Sequence, residues 1–236
     1  MNNDMDARII RNAVEMERQV LECGFLPFFR CGIPGFSIEE RTAWDCWFPD
    51  EGEGAWEWKG PVIREGHCAY GKIFNRKAGY VSLEWLPDLM NYRRSLRYAK
   101  DEDTAALDDM VLQTIACEGG VTVKDLRRML GFAKGRGRRS AADLKDGVQG
   151  EGKISLEPIL TRLMMGLHIV IADFEYNMDR HGRPYGWGVA RYVLPETLYG
   201  RLDAGCSPEE SLEKIYRHLR RLLPEAPERK LLSLIG

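Results

Sequence analysis

Absences set the first limits on this chain. It carries six cysteines, Cys23, Cys31, Cys46, Cys68, Cys117 and Cys206, but no two have C-x-x-C spacing. That argues against a thiol redox motif and a paired-cysteine zinc site, and it predicts buried free thiols. A zinc site from Cys46, His67 and Cys68 is a weak alternative without ligand spacing. No G-x-S-x-G, P-loop or H-E-x-x-H pattern appears. Only four histidines are present, His67, His168, His181 and His218, so the supply for triad chemistry is poor. No apolar run approaches the length of a membrane span. The opening MNNDMDARIIRNAVEMERQ is polar and acidic, unlike a signal peptide, so a cytoplasmic protein is expected. No residue pattern calls for a cofactor or a metal, and none speaks to oligomeric state.

The 236 residues are 44% hydrophobic and 30% charged, with a formal net charge of -2. That balance fits an ordinary globular protein of one large domain or two small ones. Net charge alone does not suggest nucleic acid, so that inference needs a local patch.

Residues 5–23 have helical periodicity, and Gly24 can end the helix. The segment 25-FLPFFRCGIPGFSIEE-40 is irregular but strongly apolar, and Ser37 with Glu40 forms a capping-box pattern. Short strands are expected at Val62–Ile63, Cys68–Phe74 and Ala78–Ser82, with a hairpin turn over 75–77. A boundary falls near residue 100. Beyond it the pattern is sharper. A helix spans 104–117 and ends at Gly119–Gly120. A second starts at Thr122, which can cap it with Asp125 in the first turn. A third runs from Ser155 to about Met165, followed by a two-stranded hairpin over 169–194 with its tip at 179–184. Ser207 with Glu210 caps a last helix over 208–223.

Helix, short turn, helix, helix, hairpin is the layout of a winged helix-turn-helix. The expected fold class is therefore α+β, with an N-terminal β-containing domain over 1–100. A winged-helix domain over 101–200 and a C-terminal helical tail over 201–236 complete it. Between Val121 and Lys145 eight cations stand against Asp125 and Asp143, a local balance of +6. Candidate DNA-binding residues are Lys124, Arg127, Arg128, Lys134, Arg136, Arg138 and Arg139, with Arg180 and Arg183 on the hairpin tip. In 134-KGRGRR-139 glycines separate the cations, so the chain can follow a phosphate backbone closely. The third helix is expected to turn Thr161 and Arg162 toward a groove. Three outward residues, Glu157 included, are few for base readout, so phosphate contacts dominate the expectation. A solvated basic surface, or a winged helix used for protein interaction, is the plainer alternative.

A second constellation is aromatic. Trp56, Trp58, Lys59, Tyr70 and Lys72 form a candidate ligand-binding cleft, because rings and cations together suit a base, a nucleotide or a phosphate. It would make the protein an enzyme on nucleic acid or nucleotides. The plainer reading is that these rings fill a small β-rich core.

The motifs W-x-W-K, Y-G-K, G-Y-V-S-x-E-W-x-P, I-A-D-F-E-Y and Y-G-W-G-V-A-R-Y resemble a group of bacterial proteins related to the AlkZ-type winged-helix DNA glycosylases. The resemblance covers about Gly24 to Pro208. It implies tandem winged helices around a concave DNA-binding surface. The catalytic members carry Gln-x-Gln or Gln-x-Asp. Here Gln19, Gln113 and Gln149 are the only glutamines, and none has Gln or Asp two positions on. The resemblance thus implies a fold and DNA contact, and does not extend to glycosylase activity.

Overall fold

A computed structural model of the chain describes residues 9–50, 52–132, 155–181 and 184–236. The protein is mixed α and β, with two three-stranded antiparallel sheets among the described residues. It divides into two compact units, Met1–Ser95 with Arg201–Gly236, and Leu96–Gly200.

In the first unit, α1 (Ala13–Cys23) starts where the Asn12 side chain accepts from the Glu15 N–H at 2.9 Å. It stops at Gly24, whose φ of +74° is the left-handed turn that glycine tolerates. Strand β1 (Phe25–Pro27) follows, fully buried. It pairs with β3 (Lys77–Ser82), which pairs in turn with β2 (Cys68–Phe74). Pro27 is tolerated because β1 is an edge strand. The β2–β3 turn is the expected hairpin: Asn75 and Arg76 both have positive φ, +48° and +64°, the signature of a two-residue primed turn. Short helix α2 (Ile38–Arg41) begins at Ser37, whose hydroxyl accepts from the Glu40 N–H as the capping pattern predicts.

The strand expected at Val62–Ile63 is instead helix α3 (Lys59–Glu65). Pro61 lies in its first turn and Gly66 (φ +77°) caps its end. That Pro-in, Gly-out asymmetry belongs to a helix, and it outweighs the β preference of two branched residues.

Helix α4 (Leu86–Ser95) buries Leu86, Leu89, Met90 and Arg93, one stripe at helical spacing. The C-terminal segment Arg201–Gly236 groups with this unit. Helix α9 (Pro208–Leu222) packs on α4, and α10 (Glu228–Ile235) packs on α9 and β2. Ser207 and Glu210 form the expected reciprocal cap of α9. Arg93 fastens α10. Fully buried, it donates to the carbonyls of Ile73 (2.6 Å), Leu234 (2.8 Å) and Ile235 (2.5 Å). Two of those belong to the last turn of α10, where a helix leaves its carbonyls unpaired and favours a cation.

In the second unit, α5 (Glu102–Glu118) is capped by Asp101, whose carboxylate accepts from Thr104 N–H at 2.7 Å, and ended by Gly119. The short strand β4 (Val121–Thr122) leads directly into α6 (Val123–Met129). Helix α7 (Leu156–Met165) precedes the hairpin β5 (Val170–Met178) and β6 (Pro184–Val193). The strand order is β4-β6-β5, so the two-residue β4 lies along the returning arm of the hairpin. A short α8 (Pro195–Tyr199) closes the unit. Among the described residues no helix is long and apolar enough to cross a membrane.

Candidate functional site

The cations of the second unit divide by what holds them. Thr122 sets up α6. Its backbone pairs with β6 opposite Arg191, while its hydroxyl accepts from Asp125 N–H at 3.3 Å and donates to Asp125 Oδ2 at 2.7 Å. The Thr122 hydroxyl and N–H hold the Asp125 carboxyl below the usual carboxylate range. With that terminus fixed, α6 presents Lys124, Arg127 and Arg128 to solvent. Arg128 also reaches Asp125 at 3.0 Å, an exposed i,i+3 pair that leaves its guanidinium largely hydrated. Arg180 and His181 are exposed at the hairpin tip, where Arg180 Nε donates to His181 Nε2 at 3.0 Å. Lys134, Arg136, Arg138, Arg139 and Arg183 lie outside the described residues.

Helix α7 does not turn the expected pair outward. Thr161 is buried. Arg162 makes a forked contact with Asp108 of α5, Nε to Oδ2 at 2.8 Å and Nη2 to Oδ1 at 2.6 Å. The two side chains retain only 22% and 12% of their exposure. Such a planar, two-bond pair in a partly dry site is a packing joint between α5 and α7, because withdrawing either partner would strand the other charge. Of the outward residues expected on this helix, Glu157 alone is exposed. Glu175 on β5 is also engaged. Glu175 accepts from Arg191 Nε at 2.7 Å, and Arg191 Nη1 donates to Gly120 O at 2.8 Å, tying the hairpin to the turn before β4.

The aromatic constellation is rearranged. Trp58 and Tyr70 belong to the core. Trp58 Nε1 donates to Glu53 O at 2.9 Å, and Tyr70 packs on Tyr80 with ring centroids 4.7 Å apart. Lys72 is half-buried on β2. Lys59 is buried, with Nζ 3.4 Å from the centroid of the Trp56 ring. Burial pushes its pKa down to about 8, and the charge of Glu57 pulls the other way. The ring face also favours the ammonium form.

Trp56 lines a different cavity, of about 520 Å³, together with Phe29, Arg30, Glu39, Glu40, Thr42, Trp44, Trp47 and Phe48. Edge-to-face contacts fix part of this wall: Phe28 against Trp47 (5.7 Å) and against Trp56 (6.1 Å). A second cavity, of about 270 Å³, is lined by Arg30, Lys77 and Lys230 with Phe29 and Asn75 among their neighbours. Both lie in the first unit, and Phe29 and Arg30 line both. The signal for the larger cavity was present in the aromatics of 25-FLPFFR-30 and 44-WDCWF-48, which follow neither helical nor strand periodicity. Nothing local to Lys230, far along the chain, could place it here.

The metal alternative finds no geometry. His67 Nδ1 faces Glu17 Oε1 at 2.8 Å, and Cys68 is buried with its thiol pushed up to about 12. Among the described residues no group of three or more potential ligands comes together. All six cysteines are free thiols, but only Cys23 and Cys68 are buried, and Cys117 is exposed.

No curated protein and no solved structure matches the chain. A family model described as AlkZ related matches residues 10–236, and the chain belongs to that AlkZ-related family.

Proposed function

We propose that the second unit is a winged-helix module that binds DNA through its phosphates. The observation that carries this reading is the element order, α5–β4–α6–α7–β5–β6, with β4 paired to β6. Each part has a counterpart in the winged helix-turn-helix layout. The exposed Lys124, Arg127 and Arg128 on α6 and Arg180 on the hairpin tip supply charge. Lys134, Arg136, Arg138, Arg139 and Arg183 would add to it. Membership of the AlkZ-related family supports a nucleic-acid-binding role associated with DNA repair. Thr161 and Arg162 leave this list, since one is buried and the other is committed to Asp108. With so little offered by α7, the contacts are to backbone and shape, and binding tolerates sequence.

The test is fluorescence anisotropy of a labelled random-sequence duplex across a salt series. It compares the wild type with an Arg136/Arg138/Arg139→Ala variant and an Arg127/Arg128→Ala variant. Each phosphate contact removed lowers the salt slope by roughly 0.9. Both variants are expected to bind more weakly and with a shallower slope. Absence of binding at low salt, or binding unchanged in both variants, would overturn the reading.

A further inference from the structure

We infer that the first unit binds a nucleotide, its base stacked in the aromatic cavity and its phosphate held in the cationic one. Five rings, Phe29, Trp44, Trp47, Phe48 and Trp56, line a space of about 520 Å³. That lies inside the roughly 300–1,000 Å³ range of small-molecule sites. Trp44 and Phe48 keep 85% and 68% of their exposure, so large apolar faces stand in water at the mouth. Bases stack on such faces whatever their identity. At the wall, the Thr42 hydroxyl is buried with no hydrogen-bond partner among the described residues. Glu39 and Glu40 add acceptors suited to the amino group of a base rather than to an anion.

The neighbouring cavity has the opposite chemistry. Arg30, Lys77 and Lys230 line it and no carboxylate does. Lys230 Nζ occupies the place beside Gly32 (φ +83°), where an added Cβ would lie 2.7 Å from it. The glycine thereby gives the ammonium room. The Arg30 guanidinium is largely exposed and sits 3.9 Å from Glu39, a loose pair that a phosphate oxygen can displace. Lys77 Nζ donates to Arg30 O at 3.1 Å and has two further N–H groups to offer. Since Phe29 and Arg30 belong to both walls, stacking surface and phosphate site adjoin, as base and phosphate do in one nucleotide.

The ligand is either a free nucleotide or an unpaired nucleotide of a strand. The inference is independent of the DNA-binding reading of the second unit. Tryptophan fluorescence is titrated with adenosine monophosphate, adenosine, inorganic phosphate and the hexamer (dA)6. Saturable quenching by the monophosphate or the hexamer is expected, with adenosine about tenfold weaker. Trp44→Ala and Lys230→Gln, both away from the core, should each weaken binding about tenfold while circular dichroism stays unchanged. Comparable affinity for monophosphate and hexamer identifies a free nucleotide, and a much tighter hexamer identifies a strand. The Arg136/Arg138/Arg139→Ala variant should quench as wild type does. No saturable quenching by either probe, or quenching that both variants leave intact, would overturn the inference without touching duplex binding.

Discussion

The two units handle positive charge in opposite ways. The first draws two of its cations inside: Arg93 is fully buried against backbone carbonyls, and Lys59 lies buried on the Trp56 ring. The second leaves Lys124, Arg127, Arg128 and Arg180 exposed and draws Arg162 into a mostly dry joint with a carboxylate opposite it. Burying a charge costs several kcal/mol unless hydrogen bonds or an opposite charge replace the lost water. The first unit supplies that replacement from helix ends and rings, so Arg93 and Lys59 serve architecture. The exposed cations of the second were never desolvated, and they stay available to a polyanion.

The sharpest way to break this contrast is at Arg93. Replacing it with Met keeps much of the volume but leaves buried carbonyls of Ile73, Leu234 and Ile235 without their donor. The expected loss is about 4 kcal/mol, since each orphaned buried acceptor costs roughly 1–3 kcal/mol and the three relax in part. Urea denaturation would give the magnitude. Amide exchange should show α10 and β2 deprotected while β5 and β6 hold. A loss below about 1 kcal/mol would mean that Arg93 does not fasten the C-terminal helix.

Short-range chemistry made part of this architecture legible. The caps at Ser37, Thr122 and Ser207 each link residues three apart; the Ser37 hydroxyl accepts from Glu40 N–H, and the reciprocal box is complete at Thr122 and Ser207. The Asn75–Arg76 turn and the α7–hairpin succession are local as well. What escaped depended on partners far along the chain. Arg93 stands in the charged run 93-RRSLRYAKDEDTAA-106, and its acceptors lie up to 142 residues away. Helix α10 shows its apolar face only against α9 and β2. Arg162 was read as outward because its periodicity is compatible with that face, and Asp108, 54 residues earlier, draws it in. The aromatic site was half legible. Trp56 was the right ring, but Trp58 and Tyr70 were needed by the core, and the remaining wall came from an irregular segment with no period to decode.

The Arg162–Asp108 joint sharpens the comparison from the other side. An exposed pair contributes about 0–1 kcal/mol and a fully buried one costs 3–5 kcal/mol to break. At 22% and 12% exposure this pair lies nearer the buried limit. Asp108→Asn is expected to destabilise by about 2 kcal/mol. A double-mutant cycle with Arg162→Met should show that most of the loss is coupling between the two. If Arg162→Met alone weakens duplex DNA binding at unchanged stability, then Arg162 contacts phosphate after all, and the division between structural and ligand-facing cations fails.

Lys59 offers the smallest and most diagnostic effect. Burial lowers its pKa to about 8, whereas the unfolded chain titrates near 10.4. Between those values the unfolded state binds more protons than the folded one, so stability rises with pH across the window and is flat below it. Lys59→Met removes the titration. The stability of wild type relative to this variant should therefore increase by about 1.5 kcal/mol from pH 8 to pH 9.5. Paired urea titrations at several pH values would measure it, and the common titrations of other groups cancel in the difference. A flat difference curve would mean that the Trp56 face holds the ammonium as strongly as water does. The first unit would then bury this cation at no cost in desolvation, and the contrast with the second would rest on Arg93 alone.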